Sequence, residues 1–186
     1  MKEQQTTRNT FCERFIKTLE ALVETGDHGS LAMLRRGLGK SWVPEAFRFM
    51  PFDGGKSLEE AALIIAPLFA FWHQGQESMK HVEGNFGSSM RALVLEMVRE
   101  GTDREDAMRR VERRFIALLN CSEEELPFHL RYSVSLLKAK AVPVDWTQLM
   151  KDVQAWNSEY QFVQRRWARS FWVSGTSAEE VETKSL

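Results

Sequence analysis

The sequence is poor in cysteine, with only Cys12 and Cys121 among its 186 residues. Because the two are far apart and neither belongs to a Cys-x-x-Cys pair, the pattern indicates neither a disulfide framework nor a zinc module, and it favours a reducing, cytoplasmic setting. The first ten residues lack an apolar segment, so we expect no signal peptide. The longest apolar run, residues 61–72, is too short to cross about 30 Å of hydrocarbon, so we expect no membrane partner.

An excess of charge of one sign is also missing, because 25 basic and 26 acidic residues give a formal net charge of −1. This balance excludes a protein that is basic throughout, so any binding to nucleic acid would need a local patch of cations. Apolar residues make up 43% of the chain and charged residues 27%, which is typical of a globular domain and excludes collagen-like and disordered chains.

Motifs for catalysis and metal binding are absent from the sequence. Two Gly-Lys-Ser triplets, at residues 39–41 and 55–57, lack the glycine that a phosphate-binding loop needs five positions earlier. The four histidines show no metal-ligand spacing, and we interpret His73 and His81 as solvated loop residues. We therefore expect no enzyme, no metal, no cofactor and no small-molecule substrate. A small helical enzyme stays open as a third hypothesis, and it would need a polar pocket with a perturbed acid or base.

Apolar residues recur at helical spacing along almost the whole chain, which predicts an all-α fold, a bundle of about seven to eight helices. We read residues 37–55 as an irregular crossing with one helical turn and residues 73–88 as a polar loop. The predicted helices cover residues 8–25, 30–36, 58–72 and 89–99, a segment reaching Asn120, a segment between Ser122 and Pro143, and a long last helix at 146–172 with Trp146, Met150, Val153, Trp156, Tyr160, Val163 and Trp167 facing inward.

Polar residues and breaks give the predicted boundaries. Ser57, Thr102 and Ser122 each precede a glutamate by three residues and are predicted to cap helices, as is Asp145. We divide the chain into an N-terminal helical sub-bundle at 1–100, a C-terminal one at 101–173 and a flexible acidic tail at 174–186. A shared interface would make the two sub-bundles one unit.

Aromatic side chains have two interpretations, because rings interleaved with arginines are what single-stranded nucleic acid stacks on. Core packing is the other interpretation, and we prefer it for the residues on inward stripes, which are Phe115, Trp156 and Trp167. We extend the core interpretation to the aromatic residues of the irregular crossing, which are Trp42, Phe47, Phe49 and Phe52.

Basic residues without an acid three or four positions away lie in clusters. By that test Arg109 and Arg110 are neutralised by Glu105 and Asp106. From residue 131 to 172 there are seven basic and three acidic residues, and Arg131 and Lys138 share one helix face because they are seven positions apart. The pattern leaves open a surface for an anionic polymer or ordinary solvated faces. The clusters are Arg35, Arg36 and Lys40; Arg113 and Arg114; Arg131, Lys138 and Lys140; and Arg165, Arg166 and Arg169.

Five segments, taken in order, carry a resemblance to a known family. They read GSLAMLRRGLGKSW, ERRFIALL from Glu112, LPFHLRY from Leu126, PVDWTQLMKDVQAW and VQRRWARSFW. Together they resemble the CasB family, the small subunit of the type I-E CRISPR Cascade complex, over about residues 8–172.

The resemblance implies an all-helical, non-catalytic subunit that acts in antiviral defence, present as a pair inside a guide-RNA complex. Its partners would be the other Cascade subunits, a second copy of itself, the guide RNA and the target DNA. Its basic surface would contact the displaced non-target strand and support the strand paired to the guide, holding the R-loop open until a recruited nuclease-helicase cuts. Exchanging one duplex for another is nearly balanced in free energy, so modest backbone contacts can tip it.

By position, the resemblance places Arg35 and Arg36 in its LRR motif, Arg113 and Arg114 in its RRF helix, and Arg131 in the next helix. Lys56 matches a basic position at the start of the apolar helix. Basic residues that the family implies after Trp156 are replaced here by NSEYQ, and Arg165, Arg166 and Arg169 stand in one to three turns later. The alternative is a protein-interaction spacer subunit without nucleic-acid contact, whose arginines meet acidic faces of its neighbours.

Overall fold

The computed structural model describes residues 2–40, 42–51, 53–75 and 82–173, with side chains from Thr10 onward. Within these ranges the chain forms eight α-helices, one 3₁₀ helix and no β-strand, which confirms the predicted all-α bundle. The predicted acidic tail at 174–186 lies outside the described residues. In chain order the elements are α1 (Lys2–Glu24), α2 (His28–Arg35), the 3₁₀ helix (Pro44–Phe49), α3 (Lys56–Trp72), α4 (Phe86–Arg99), α5 (Arg104–Leu119), α6 (Leu126–Ala139), α7 (Trp146–Gln154) and α8 (Phe162–Trp172).

Helix α3 is the central element, because buried residues cover most of its circumference. A helix that is apolar nearly all round is stable only when other elements surround it. It packs against α1, α2, α6 and α7, while α4 packs against α5, α6 and α8. Helices of the two predicted sub-bundles therefore touch each other, and the division at residue 100 stays a prediction. None of these helices combines the length and the apolar character that a membrane span requires.

One of the four predicted caps, Asp145, is confirmed, and a second, Ser122, forms its predicted hydrogen bonds but does not cap α6. Asp145 accepts a hydrogen bond from the backbone N–H of Gln148 at 2.8 Å. Ser122 and Glu125 bond reciprocally, since the Ser122 N–H donates to the Glu125 carboxylate at 3.1 Å and the Glu125 N–H donates to the Ser122 hydroxyl at 3.4 Å. The Asp145 side chain satisfies a backbone donor that α7 itself leaves unpaired, whereas the Ser122–Glu125 bonds lie in the turn before α6, where Glu125 holds the cap position without a side-chain cap bond.

The other two predicted caps are wrong. Helix α3 starts earlier than predicted, with Gly55 at the cap position, and the Ser57 hydroxyl instead accepts a hydrogen bond from the Gln154 side chain at 3.1 Å. Asp103, rather than Thr102, caps α5 by accepting from two backbone N–H groups. A carboxylate is favoured at this position because it also faces the positive end of the helix dipole.

The predicted long last helix is wrong, because the chain breaks between α7 and α8. Gln161 adopts a φ of 49°, and Tyr160, which was predicted to face inward, is 74% exposed. In an unbroken helix Trp156 and Trp167 would lie about 16 Å apart along the axis. The break brings their ring centroids to 5.1 Å, and both rings are buried, as predicted. Two short helices thus bury rings that one straight helix would separate.

A buried carboxylate holds the two short helices together. Asp152 on α7 is only 1% exposed, and it accepts hydrogen bonds from the Trp167 indole and the Gln148 side chain and pairs with Arg166. Burial raises the pKa of the Asp152 carboxyl, and the Trp167 and Arg166 contacts oppose that rise. One acid of α7 therefore binds two donors on α8, Trp167 and Arg166, and one on its own helix.

His73, at the end of α3, is not the solvated loop residue that we predicted. It is 2% exposed, its Nδ1 lies 2.9 Å from the Phe69 carbonyl oxygen, and its ring contacts the rings of Phe69, Trp72 and Trp146. Desolvation lowers the pKa of His73 to about 4. The ring is therefore neutral near pH 7. His81 and the rest of residues 76–81 lie outside the described part of the chain.

The irregular crossing at 37–55 contains one helical turn, the 3₁₀ helix, as predicted. Its aromatic residues are not all core: Trp42 is 63% exposed and Phe47 39%, so the core interpretation is wrong for both. Their rings pack on each other with centroids 5.6 Å apart. Phe49 is half-buried against the core, and Phe52 lies outside the described residues. Phe115, on α5, is fully buried as predicted.

Candidate nucleic-acid interface

Arg131 lies on the outward face of α6 and reaches the loop that follows α2. A Cβ atom placed on Gly39 would lie 3.3 Å from a terminal nitrogen of Arg131, so the guanidinium packs directly on the backbone of this loop. Gly39 has a φ of +80°, a conformation that side-chain-bearing residues rarely adopt. Lys40 follows immediately and is exposed. The fold thus joins two basic segments that are about ninety residues apart in the sequence.

Lys138 lies on the same face of α6, two turns further along. Its Nζ donates to the carbonyl oxygens of Phe71 at 2.6 Å and Gln74 at 3.2 Å, and it sits 4.6 Å from the centroid of the Phe71 ring. Carbonyls at the C-terminal end of a helix carry partial negative charge, so a cation is favoured there. Burial, and next the nearby positive charge of Arg35, lower the pKa of Lys138.

These contacts bring basic residues of α2, the loop after it and α6 into one region, which we call the α2–α6 surface. It brings together the end of α2, the loop after it and the outward face of α6. Arg36 and Lys40 are exposed, and Arg35 is half-buried beside Lys138. The α2–α6 surface consists of Arg35, Arg36, Lys40, Arg131 and Lys138.

A second basic group surrounds a cavity of about 360 Å³ between α4, α5 and α6, which we call the α5 groove. Sequence reasoning missed Arg110 here, because Asp106 was expected to neutralise it; Asp106 pairs with Arg109 instead. Lys140 pairs with Glu100 at the end of α4. Leu93, Met97, Val111 and Leu136 form the apolar part of the groove, and its basic residues are Arg110, Arg113, Arg114 and Lys140.

The remaining predicted site residues lie elsewhere. Arg165 and Arg169 are exposed one turn apart on α8, whereas Arg166 turns inward to Asp152. Lys56 pairs with Glu60 at 3.7 Å. It begins α3, while Lys138 contacts the other end of that helix, which is about 24 Å away along the axis.

The predicted site residues differ in the partners that the fold gives them. Lys56, Lys140 and Arg166 pair with carboxylates, and Lys138 is bound to carbonyl oxygens. In the described part of the chain no carboxylate pairs with the other eight, which are Arg35, Arg36, Lys40, Arg113, Arg114, Arg131, Arg165 and Arg169.

Sequence reasoning also missed an exposed aromatic pair on α6. Phe128 is 53% exposed and Tyr132 46%, and their rings meet edge to face with centroids 4.6 Å apart. The signal was available, because both positions fall outside the inward stripe of α6, which is Leu126, Leu130, Val134 and Leu137.

Catalysis and metal binding require clusters of titratable or metal-ligating side chains. Among the described residues no three of His, Cys, Asp and Glu gather as metal ligands would. Burial and the charge of Glu125 raise the pKa of Cys121 to about 11, so its sulfur is a protonated thiol near pH 7. A cavity of about 480 Å³ beside it is lined largely by amide and hydroxyl side chains.

Comparison with known proteins agrees with the resemblance seen in the sequence. The family model for CRISPR-associated protein Cse2 matches residues 30–172. The chain is 28% identical to the CRISPR-associated protein Cse2 of Thermus thermophilus over 178 residues, which is 90% of this chain and 94% of that protein.

Solved structures extend the comparison to the fold. The crystal structure of M. ruber CasB aligns with a TM-score of 0.62 and 30% identity over 85% of this chain and 90% of that one. A chain of a CRISPR RNA-guided surveillance complex aligns with a TM-score of 0.74 over 96% of this chain and 99% of that one, and at 19% identity this likeness concerns the fold alone. With a family model covering most of its length and a helical fold shared with CasB, the chain belongs to the CRISPR-associated Cse2 family, the family of the CasB proteins.

Proposed function

We propose that this chain is a non-catalytic small subunit of a type I-E CRISPR Cascade complex, acting in the cytoplasm in antiviral defence. Membership of the Cse2 family supports this assignment, as does the shared fold with a chain of an RNA-guided surveillance complex. Its partners are the other Cascade subunits, a second copy of itself, the guide RNA and the target DNA.

The function we propose for its surface is to bind the nucleic-acid backbone, the displaced non-target strand above all, and so to stabilise the R-loop. The α2–α6 surface is the observation that carries this proposal. Arg131 packs on the loop that carries Lys40, Arg36 lies just before that loop, and no carboxylate among the described residues pairs with any of the three. Phosphate contacts of this kind release counterions, so binding falls steeply with salt and shows little sequence preference.

The other cations without a carboxylate partner extend the proposed surface. Arg113 and Arg114 on α5, and Arg165 and Arg169 on α8, are exposed and supply further backbone contacts. Lys138 has a supporting role in this proposal, because its ammonium is already bound to the end of α3.

Charge reversal tests the proposed function. We expect the triple variant Arg35→Glu, Arg36→Glu, Arg131→Glu to shorten the lifetime of the R-loop by at least about tenfold, because each reversal replaces a phosphate contact with repulsion. R-loop lifetime is measured on the assembled complex, and assembly is measured by gel filtration. Unchanged lifetime with normal assembly would contradict the proposed function.

A matched control keeps the number and sign of the charge changes. The variant Lys17→Glu, Arg99→Glu, Arg109→Glu changes three cations on α1, α4 and α5 that are not part of the α2–α6 surface. We expect it to leave the R-loop lifetime within about twofold of the unmodified chain, since distant exposed charges are screened.

The rival function is a protein-interaction spacer, and the α5 groove is the observation that favours it. Aliphatic and thioether side chains line this groove below a basic rim, which suits an apolar side chain from an acidic segment of a neighbouring subunit. Under this alternative, charge reversal at Arg113 and Arg114 prevents assembly of the complex, and the charge-reversal variant of the α2–α6 surface fails to join it.

A further inference from the structure

We propose that Phe128 and Tyr132 form a stacking platform for the unpaired bases of a single strand, so that the α2–α6 surface selects single-stranded over double-stranded nucleic acid. The proposal rests on the function proposed above. It adds a base-contacting element to a surface that would otherwise recognise only phosphates.

The position of the two rings on α6 is the first support. At 100° per residue, Arg131, Phe128 and Tyr132 lie within an arc of about 100° on the outward side of the helix. The opposite side carries the buried stripe, so the rings take no part in the core. Arg131 in turn packs on the loop that carries Lys40. A base held by the rings would therefore have its own phosphates within reach of cations.

The geometry of the pair is the second support. The rings meet edge to face, with an interplanar angle of 70°, so each ring holds the other in place and still exposes about half of its surface. A fixed and exposed ring stacks on any base because every base has a π face. A duplex hides those faces between its own base pairs, whereas a single strand offers them.

The charge of the region is the third support. Helix α6 contains no Asp or Glu, and neither does the loop from residue 36 to residue 43, whereas the exposed Glu123, Glu124 and Glu125 lie just before α6, one turn from Phe128. Exposed aromatics and arginines also occur where proteins bind each other. The side of this face with Tyr132, Arg131 and Lys40 suits an anionic partner, and a single strand supplies regular negative charge and aromatic faces together. Coverage by a protein is one of the outcomes that the experiment distinguishes.

The experiment measures binding of the full-length chain to a 30-nucleotide oligothymidylate and to a 30-base-pair duplex, by fluorescence anisotropy at about 50 mM salt. We expect Phe128→Leu with Tyr132→Leu to weaken oligothymidylate binding by at least about tenfold and to leave duplex binding within about twofold. Leucine keeps the helix propensity of these positions, and both rings are exposed, so the variant folds. Circular dichroism verifies the fold.

Two control variants sharpen the result. Phe128→Trp with Tyr132→Trp retains large aromatic faces, and we expect it to keep the preference for the single strand. Tyr160→Leu with Phe162→Leu removes two exposed aromatic side chains at the start of α8, and we expect it to change neither affinity.

The outcomes separate this inference from the proposed function. If charge reversal of Arg35, Arg36 and Arg131 weakens both ligands while the leucine variant binds normally, the stacking platform is refuted and the proposed function stands. If the unmodified chain binds neither ligand, the stacking platform is refuted, and the R-loop lifetime of the assembled complex decides the proposed function separately. If charge reversal changes neither oligonucleotide binding nor that lifetime, both are refuted. If the leucine variant binds oligothymidylate normally but fails to join the complex, a protein covers the rings and the stacking platform is refuted.

Discussion

Arg131 on α6 and Arg166 on α8 are the same residue type in two regions that the fold treats differently. Arg166 faces the buried carboxylate of Asp152 and fastens α8 to α7, whereas Arg131 faces solvent and the backbone of a loop. What differs is the group across from each arginine, which no count of basic residues reveals. Arg166 therefore stabilises the contact between α7 and α8, whereas Arg131 on the α2–α6 surface remains accessible to a binding partner.

Removing the buried carboxylate of Asp152 gives the largest expected difference between the two regions. We expect Asp152→Ala to lower the free energy of unfolding by about 3–5 kcal/mol, because it leaves the Trp167 indole without an acceptor and Arg166 without its counter-charge. Urea unfolding measures the effect. Arg131→Ala is the matched change on the other region, and we expect it to cost less than about 0.5 kcal/mol. Equal losses for the two variants would contradict the contrast.

His73 lies beneath the α2–α6 surface and gives the next largest expected effect. Its ordinary pKa is 6.5, and burial followed by the charge of Lys138 lowers the pKa of His73 to about 4. Below pH 6.5 His73 becomes protonated in the unfolded chain, whereas in the folded chain it stays neutral until about pH 4. The free energy of unfolding therefore falls between pH 6.5 and pH 4, by up to about 3 kcal/mol. Above pH 6.5 His73 is neutral in both states and does not contribute to the pH dependence of the free energy of unfolding.

The variant His73→Phe isolates this titration from those of other groups. Urea unfolding of both proteins at pH 7.5 and at pH 4.5 gives the measurement. We expect the unmodified chain to lose about 2.5 kcal/mol more than the variant between the two pH values. An equal pH dependence in the two proteins would show that His73 titrates near its ordinary pKa in the fold.

The smallest expected effect distinguishes the supporting cation from the exposed ones. We expect Lys138→Met to lower the free energy of unfolding by about 1 kcal/mol, because two carbonyl oxygens at the end of α3 lose their charged donor. Hydrogen exchange of the last turn of α3 should quicken, and oligothymidylate binding should change less than in Arg131→Glu. An unchanged free energy of unfolding together with a large loss of oligothymidylate binding would show that Lys138 binds the strand directly, as the exposed cations are proposed to do.

Local patterns predicted much of the fold because their causes are local. In the helix predicted at 8–25 the residues Phe11, Phe15, Leu19 and Leu22 recur at helical spacing; the first three are fully buried on α1, and Leu22 is half-buried against the core. Asp145 precedes its helix in the position where a carboxylate reaches a free N–H, so one residue type at one position predicted the cap. The family resemblance likewise needed only the order of short motifs.

Predictions failed where contacts between side chains, rather than local spacing, decide the conformation or the burial of a residue. The near-heptad stripe from Trp146 to Trp167 favours one helix, yet burying both Trp156 and Trp167 against each other requires a turn. His73 follows a helix and precedes polar residues, which is typical of a loop, yet Trp146 covers its ring from α7. Asp106 pairs with Arg109 rather than Arg110, which frees a cation on the α5 groove.

Side-chain spacing within a few turns was enough to predict the helical class, the approximate positions of most helices and the set of cations from which a binding surface could be built. Only the tertiary structure decided which cations meet a carboxylate, which rings stay exposed and that residues near 39 and 131 adjoin. The physical reason is that charge pairing and burial depend on distances of a few ångströms between segments whose separation in the chain is large, and packing alone fixes those distances.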